Sequence, residues 1–563
     1  MRRCIAQFHR KLLGEGVSNR RPLPARQMFS AAVAVFVLVG ALAACAPTRA
    51  GADSRFITVL SIEPQNPLIP SNTNEIGGGW IVDRLFAGLE YLDADGNPHE
   101  DAAESVALSA DRLVYTINIR PGQTFSNGEP VTARSYVDAW NFGALSTNAQ
   151  LQASAYEKIA GYEDLAADPP RSKAMSGLKV LGDLVFTVTL SQPAVDFKSA
   201  LAWSPYYPMP RVAYRDVRAF GERPIGNGPY ELASPDAWQH NVRIDLKRSP
   251  AYHGPRRVKN DGLSLIFYQS HEAGYADLVG GNLDFLYLLP DNVLGVYKRD
   301  LGDRWLKQPT AQNLQFSIPF YLPHFNGEEG RLRRRAIIEA INREQIAKVI
   351  FYDTRTPMRD FTSSALPGFD PHIPGSAVLD YNPEQARALW AQADRISPWQ
   401  GTLFFVYNAD GGHQALVDAT TNYLRRTLGI SAEGMPKQSF KEVRDLATRR
   451  QMPGPFRNGW LGDYPTALNF LETQFVTSAG SNDTLYANPR FDELLRQAES
   501  APDRQAALVS IRQAQSILFE DLPVLPMFDY VAVAGYSTRL DNPRSTWNGA
   551  PDFENLQLKD GLR

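Results

Sequence analysis

The 563-residue chain has two cysteines, Cys4 and Cys45, and eight histidines. Two thiols cannot build a disulfide framework in a chain this long. No Cys-x-x-Cys or His-Glu-x-x-His occurs to offer a redox or metal centre. The body's histidines, at 99, 240, 253, 271, 324, 372 and 413, form no close pair on one helical face, so each is expected to be a surface or packing residue. Charge of one sign is also lacking. With 58 Lys/Arg against 61 Asp/Glu the formal total is −3, which gives no basic face for nucleic acid. There is no Gly-x-x-x-x-Gly-Lys-Ser/Thr loop and no Gly-x-Ser-x-Gly, the signatures of nucleotide hydrolysis and of a serine nucleophile elbow. After a single apolar run at 28–44, no second stretch of 18 apolar residues follows, so the body is not a helical channel or pump. No repeat of solenoid or propeller period is present. No cofactor is expected, and weight shifts from catalysis toward binding.

The near-neutral total hides an uneven distribution. Residues 1–44 carry seven Lys/Arg and one acid, Glu15, a charge of +6, which leaves −9 for the rest. The 17-residue apolar run falls short of the roughly 20 residues that span a bilayer and follows a basic stretch, as in a signal peptide. It ends in Leu42-Ala43-Ala44-Cys45, which resembles the bacterial lipobox. That resemblance implies removal of 1–44, a diacylglyceryl group on the Cys45 thiol, and a lipidated tether at 45–54. More than one acyl chain on one cysteine is enough for stable anchoring. The functional body is then 55–563, acidic, outside the cytoplasm, on the outer face of a membrane.

Within the body, strand-like and helix-like stretches alternate. Segments 56–61, 112–120 and 185–190 read as strands, the middle one half-buried because Tyr115, Ile117 and Ile119 alternate with Thr116 and Asn118. Asp93-Ala94-Asp95-Gly96-Asn97 is a hairpin-type turn without the spacing of a calcium loop. Gly77-Gly78-Gly79 lacks the Lys-Ser/Thr of a phosphate loop and reads as a permissive turn where backbone approaches closely. Apolar spacing predicts one helix over 328–352, with Arg333, Arg334 and Arg335 outward. Asn382-Pro383 and Asn488-Pro489 start two more. A helix at 415–428 stops at Gly429, and a last long helix covers 504–519. The fold class is α/β or mixed α+β. Phe, Trp and Tyr make up 11% of the chain, suited to a cleft that needs apolar area at low entropy cost.

Five segments carry a resemblance. They are Leu113 through Ala133, with Pro121-Gly122 and Asn127-Gly128-Glu129-Pro130-Val131-Thr132; Pro224-Ile225-Gly226-Asn227-Gly228-Pro229-Tyr230; Ala276 through Asp284; Gly459-Trp460-Leu461-Gly462-Asp463-Tyr464-Pro465; and Tyr486 through Leu495, leading to Leu522-Pro523-Val524-Leu525-Pro526. In this order they resemble the peptide-binding proteins of bacterial ABC importers, solute-binding family 5. Asn127 and Ser135 stand where that family usually has Asp.

The resemblance implies a periplasmic-binding-protein-like, two-lobed fold with an extra domain, closing on a ligand about a hinge. Domain I would comprise 55–86, 204–287 and 522–563, the extra domain II 87–203, and domain III 288–521. A peptide would be held by strand addition along the backbone of Gly459, Trp460 and Leu461, with the segment 73–77, including Asn74, Glu75 and Ile76, on the opposite flank. Asp463 matches the family's aspartate for the peptide α-ammonium. For the carboxylate end Arg457 is the first candidate among Arg449, Arg450 and Arg457, with Arg355 and Arg359 behind it. Trp460, Tyr464, Tyr486 and Tyr156 would wall the pockets, with Phe267 and Tyr268 behind them. The implied partners are a peptide, the permease and ATPase subunits of the importer, and the membrane through the lipid; the chain would be a monomer and not an enzyme. The alternatives are the same fold taking a metal chelate, haem or glycoside, and, from another class, a secreted hydrolase or a surface signalling lipoprotein.

Overall fold

The computed structural model describes residues 55–561. The leader, Cys45 and the tether lie outside the described residues. Alternating apolar stretches pair into one 12-stranded sheet. At its centre lie two 13-residue strands, Trp305–Ser317 and Val524–Tyr536, paired antiparallel. On one side of them the order runs through Phe456–Leu461 and Thr402–Asn408 to Ser431–Lys437. On the other it runs through Phe285–Leu286, Ile57–Ser61, Gly262–Phe267 and Arg243–Arg248 to Tyr230–Leu232. The central pair loses register between Pro309 and Asn313, where Pro309 has no N–H for the ladder. The displaced backbone is taken up elsewhere: Ala311 N–H donates to Trp547 O and Ala311 O accepts from Gly462 N–H, both at 2.9 Å. That bulge brings the C-terminal segment and the Gly-Trp motif to one place.

Two large cores flank the bulge. One is built on the Ile57–Ser61 side of the sheet and continues without a break into the segment 103–201, where Ala103–Leu108, Val114–Ile119, Leu178–Gly182 and Val185–Thr189 form a separate four-stranded antiparallel sheet. Helix Ala133–Ala144, started by a Thr132/Ser135 capping box, inserts the fully buried Trp140 between them, its indole N–H donating to Tyr206 O at 2.9 Å. The other core runs from Leu314 to Tyr530 and packs helices on the Phe316–Leu525 stretch.

The matched segments have physical reasons. In Gly226-Asn227-Gly228 the loop backbone lies against the end of helix Ile76–Leu85. Gly228 N–H donates to Leu85 O (2.8 Å), and Asn227 bonds both main-chain groups of Ala87. A Cβ on Gly226 would sit 1.8 Å from Leu85 O. Gly226→Ala is therefore expected to destabilise the fold by at least about 2 kcal/mol, read as a lower urea-unfolding midpoint. Asp284 closes its motif as a buried carboxylate accepting from Thr58 N–H and Oγ, Ser537 Oγ and Arg539 Nη1.

Three expectations are corrected. The helix over 328–352 is two helices, Gly327–Glu339 and Arg343–Val349, because Asn342 turns out of the first and caps the second through Gln345 N–H. Arg333 and Arg334 point inward: Arg333 bonds Glu329, Asp394 and Ser397 O, and Arg334 bonds the Asp521 and Phe325 carbonyls. Only Arg335 is exposed as expected, paired with Glu339. Gly77-Gly78-Gly79 is the first turn of helix Ile76–Leu85 and not a loop. The close approach holds, since a Cβ on Gly77 would meet Ile62 O at 2.4 Å.

Candidate functional site

Strand Phe456–Leu461 pairs with Trp305–Ser317 along one edge. On its other edge it meets Thr402–Asn408 only at Phe456 with Val406. Since Gly462 N–H donates to Ala311 O, alternation turns the main-chain groups of Asn458 and Trp460 toward the neighbouring strand and those of Gly459 and Leu461 toward the other edge. Past Arg457 no strand covers that edge among the described residues. It opens on a cleft of about 440 Å³, including its part open to solvent, between Leu461, Ile76 and Trp80, floored by Thr310, Gln312 and Tyr530. Trp80 and Asn548 also line a second, polar chamber of about 1310 Å³, measured with its part open to solvent. Asp463 lines that chamber.

Among the described residues the Asp463 carboxylate has one hydrogen-bond partner, the Nδ2 of Asn469 at 3.0 Å. Asn469, in the first turn of a helix capped by Thr466, takes the Asp463 N–H and the Trp460 indole N–H on its Oδ1, each at 3.0 Å. One amide thus sets the strand end, the indole and the carboxylate together. Burial pushes Asp463 up to about 6 against the pull of Asn469. Among the described residues no cation pairs with it.

Two cations gather at Tyr530, one of the residues that line the cleft. Arg355 stacks on the Tyr530 ring with its guanidinium 4.1 Å from the ring centre, and Arg457 Nη2 donates to the Tyr530 hydroxyl at 3.4 Å. The Nε of each guanidinium is buried with no hydrogen-bond partner among the described residues. Burial, then Arg457 and Arg355, hold His413 down to about 2, so it stays neutral. Arg457, Gly459 and Leu461 share one face of the strand, so cation, open backbone and apolar floor follow in line.

The sequence-derived residues divide. Leu461 and Ile76 line the cleft and Asp463 the chamber beside it; Gly459 lies two residues before Leu461 in the same strand, and Arg457 and Arg355 meet at Tyr530, which also lines the cleft. Asn74 is exposed. Glu75 caps helix Ile76–Leu85 through Gly78 N–H, and Gln152 Nε2 donates to Thr73 O. Arg359 pairs with Asp380, and Arg449 and Arg450 are exposed. Four wall residues are corrected. Trp460 projects from the other strand face, into the cluster of Phe470 and Trp547, and donates its N–H to Asn469. Tyr464 is buried against Trp203. Tyr486 is a core residue whose hydroxyl donates to Asp521 (2.8 Å), and Tyr156 is fully buried, donating to Pro205 O (2.6 Å). Phe267 is core as well, and Tyr268 donates to Asp277. The walls come instead from Trp80, Tyr287, Tyr530 and Trp547. For Trp547 the Asn548-Gly549 turn after it, with Gly549 at φ +85°, is the only local sign.

Two lobes on one sheet, a bulge at the crossing and a cleft with an open strand edge define a two-lobed, mixed α/β solute-binding protein. The chain belongs to the bacterial extracellular solute-binding proteins, family 5, whose model matches residues 97–482. The family consists of extracytoplasmic substrate-binding proteins rather than enzymes. The chain is 25% identical over 531 residues to the oligopeptide-binding protein OppA of Bacillus subtilis (strain 168), covering 90% of this chain and 94% of that one. It is 26% identical over 544 residues to the periplasmic OppA of Escherichia coli (strain K12), covering 92% and 97%. Among solved structures, Haemophilus influenzae OppA in complex with RPPGFSPFR superposes with a TM-score of 0.77 at 22% identity, covering 90% of this chain and 99% of that one.

Proposed function

We propose that this protein is the lipid-anchored, substrate-binding subunit of an ABC importer, capturing di- and oligopeptides by hinge closure and delivering them to the permease. Domain I would be 55–86, 204–287 and 522–563, domain II 87–203 and domain III 288–521, with the hinge at the bulge between Pro309 and Asn313. The anchor would be Cys45. The observation that carries the peptide reading is Asp463, a carboxylate without a counter-ion at the end of an open strand edge. The edge at Gly459 and Leu461 supplies main-chain partners whatever the ligand's sequence. The α-ammonium goes to Asp463 and the carboxylate toward Arg457 and Arg355. At an effective dielectric near 20 an ammonium about 4 Å from Asp463 has a Coulomb energy of roughly 4 kcal/mol before desolvation.

Asp463→Ala is expected to weaken peptides with a free N-terminus at least tenfold while hardly changing N-acetylated ones, by calorimetry. Equal loss for both would sink the assignment. The pH dependence has a definite sign. With its pKa near 6 in the empty protein, Asp463 is ionised above that pH and meets the ammonium. As pH falls from 6 toward 4 the carboxylate protonates and affinity for free-N-terminus peptides drops by up to about tenfold per unit, whereas the N-acetylated series stays flat. Native mass spectrometry of the protein purified without denaturation is expected to show a mixture of short peptides. A single non-peptide mass would favour a chelate, haem or glycoside instead.

A further inference from the structure

We propose that the polar chamber beyond Asp463 is a selective pocket for a cationic first side chain, so that peptides beginning with lysine or arginine are the preferred ligands. This rests on the placement of the α-ammonium at Asp463. If the ammonium is there, the first Cα lies at the chamber mouth and only the first side chain can enter.

The chamber's charges are unequal. Five carboxylates line it, Asp83, Asp93, Asp463, Asp552 and Glu554, against three guanidiniums, Arg84, Arg256 and Arg257. Two of the cations are already committed. Arg84 pairs with Glu554 at 3.2 Å, and Arg256 pairs with Asp101 at 2.8 Å and with Glu554 at 3.4 Å. Arg257 is exposed at the rim. Asp83 and Asp552 are left with neutral side-chain partners: the Tyr207 hydroxyl donates to Asp83 (3.0 Å), and the Asn555 amide to Asp552 (3.0 and 3.1 Å). Asp552 is 93% buried, being only 7% exposed. Among the described residues neither has an ion pair of its own, though Arg84 and Arg256 act on Asp83, and Arg544 and Arg84 on Asp552, from a distance; a ligand cation would offset the burial that disfavours both charges.

The walls suit the same ligand. Trp80, Trp203, Tyr207 and Trp547 line the chamber. Their faces attract an ammonium or guanidinium, and their area takes the aliphatic stem of lysine or arginine. A glutamate in the same place would meet Asp83 and Asp552, with only the rim guanidinium of Arg257 to set against them. An uncharged side chain of equal length would leave both carboxylates as they are.

Calorimetry with Lys-Ala-Ala, norleucine-Ala-Ala and Glu-Ala-Ala on the full chain tests this. The lysine peptide is expected to bind at least about tenfold tighter than the norleucine peptide, with the glutamate peptide weakest. Asp552→Asn and, independently, Asp83→Asn are each expected to narrow the lysine-to-norleucine ratio while leaving norleucine-Ala-Ala within about twofold. Equal affinities, or a ratio that neither variant moves, overturn the pocket but leave the peptide reading standing. Failure of all three peptides to bind overturns the peptide reading itself.

Discussion

Replacing Lys158 by methionine is expected to remove about 3–5 kcal/mol of stability, the typical cost of breaking a buried ion pair by deleting one partner. Lys158 Nζ contacts Glu472 at 3.1 Å and Glu499 more closely. Glu499 also accepts from Gln192 Nε2 at 2.9 Å, and its carbonyl from Val195 N–H. Arg112 reaches the carbonyls of Ser500 and Ala501. This polar seam therefore joins the segment 103–201 to the helices of the Leu314–Tyr530 core. Burial works against the Lys158 charge, but Glu472 and Glu499 hold its pKa well above the ordinary value. Burial pushes Glu472 up, Lys158 pulls it back, and Glu499 pushes it up again. The lysine's pKa is raised by folding, so its stabilisation is fully present below about 10.5 and lost only as pH rises past its folded value. Without the lysine, the two carboxylates must protonate or repel. The deficit of Lys158→Met should thus shrink as pH is lowered from 8 to 5, and Glu472→Gln placed on top should restore part of it. Urea unfolding followed by tryptophan fluorescence at both pH values measures each point. A deficit that does not change with pH would show that lost packing, not charge, is responsible.

Arg333→Ala is expected to cost a similar amount for a different mixture of reasons. The guanidinium is fully buried, 4.5 Å from the Trp390 ring centre and 5.3 Å from that of Trp399. Its Nε donates to Glu329 (2.9 Å) and its Nη2 to Asp394 (3.0 Å) and Ser397 O (2.6 Å). Truncation removes the stacking, opens a cavity and strips a cation from two carboxylates, a loss of about 3–5 kcal/mol. Lysine keeps the charge but not the planar fork, so Arg333→Lys should recover less than half of that. Denaturant unfolding of the three proteins checks the order. Parity of the lysine variant with the parent would mean that charge alone matters.

The residues legible in the sequence were those whose role follows from a local main-chain motif. Asp463 stands out because Gly-Trp-Leu-Gly-Asp is a contiguous signal; it lines the polar chamber, hydrogen-bonded to the neutral Asn469. The backbone at Gly459 and Leu461 follows from the same motif. Caps at Thr132, Asn382 and Asn488 were readable because a cap is a short-range hydrogen bond. Tyr156 and Tyr486 misled because a tyrosine's place depends on what packs against it. Both rings are enclosed by other aromatics, Tyr206 in one case and Phe320 and Phe491 in the other. Arg333 and Arg334 misled because three arginines in a row on a helix look solvated, and nothing nearby announces Trp390, Trp399 or the Asp521 carbonyl as partners.

The sequence by itself determined several strands and helix starts, the glycines that let backbones meet, and the placing of Asp463 directly after the Gly-Trp motif. These follow from periodicity, capping and contiguous motifs, which act over a few residues. Only the tertiary structure decided which aromatics wall the cleft, that Arg355 joins Arg457 at Tyr530, and that Asp83, Asp463 and Asp552 share a chamber. Those juxtapositions join residues up to several hundred positions apart, and they exist because one strand bulge near Pro309 hands its hydrogen bonds to Trp547 and Gly462.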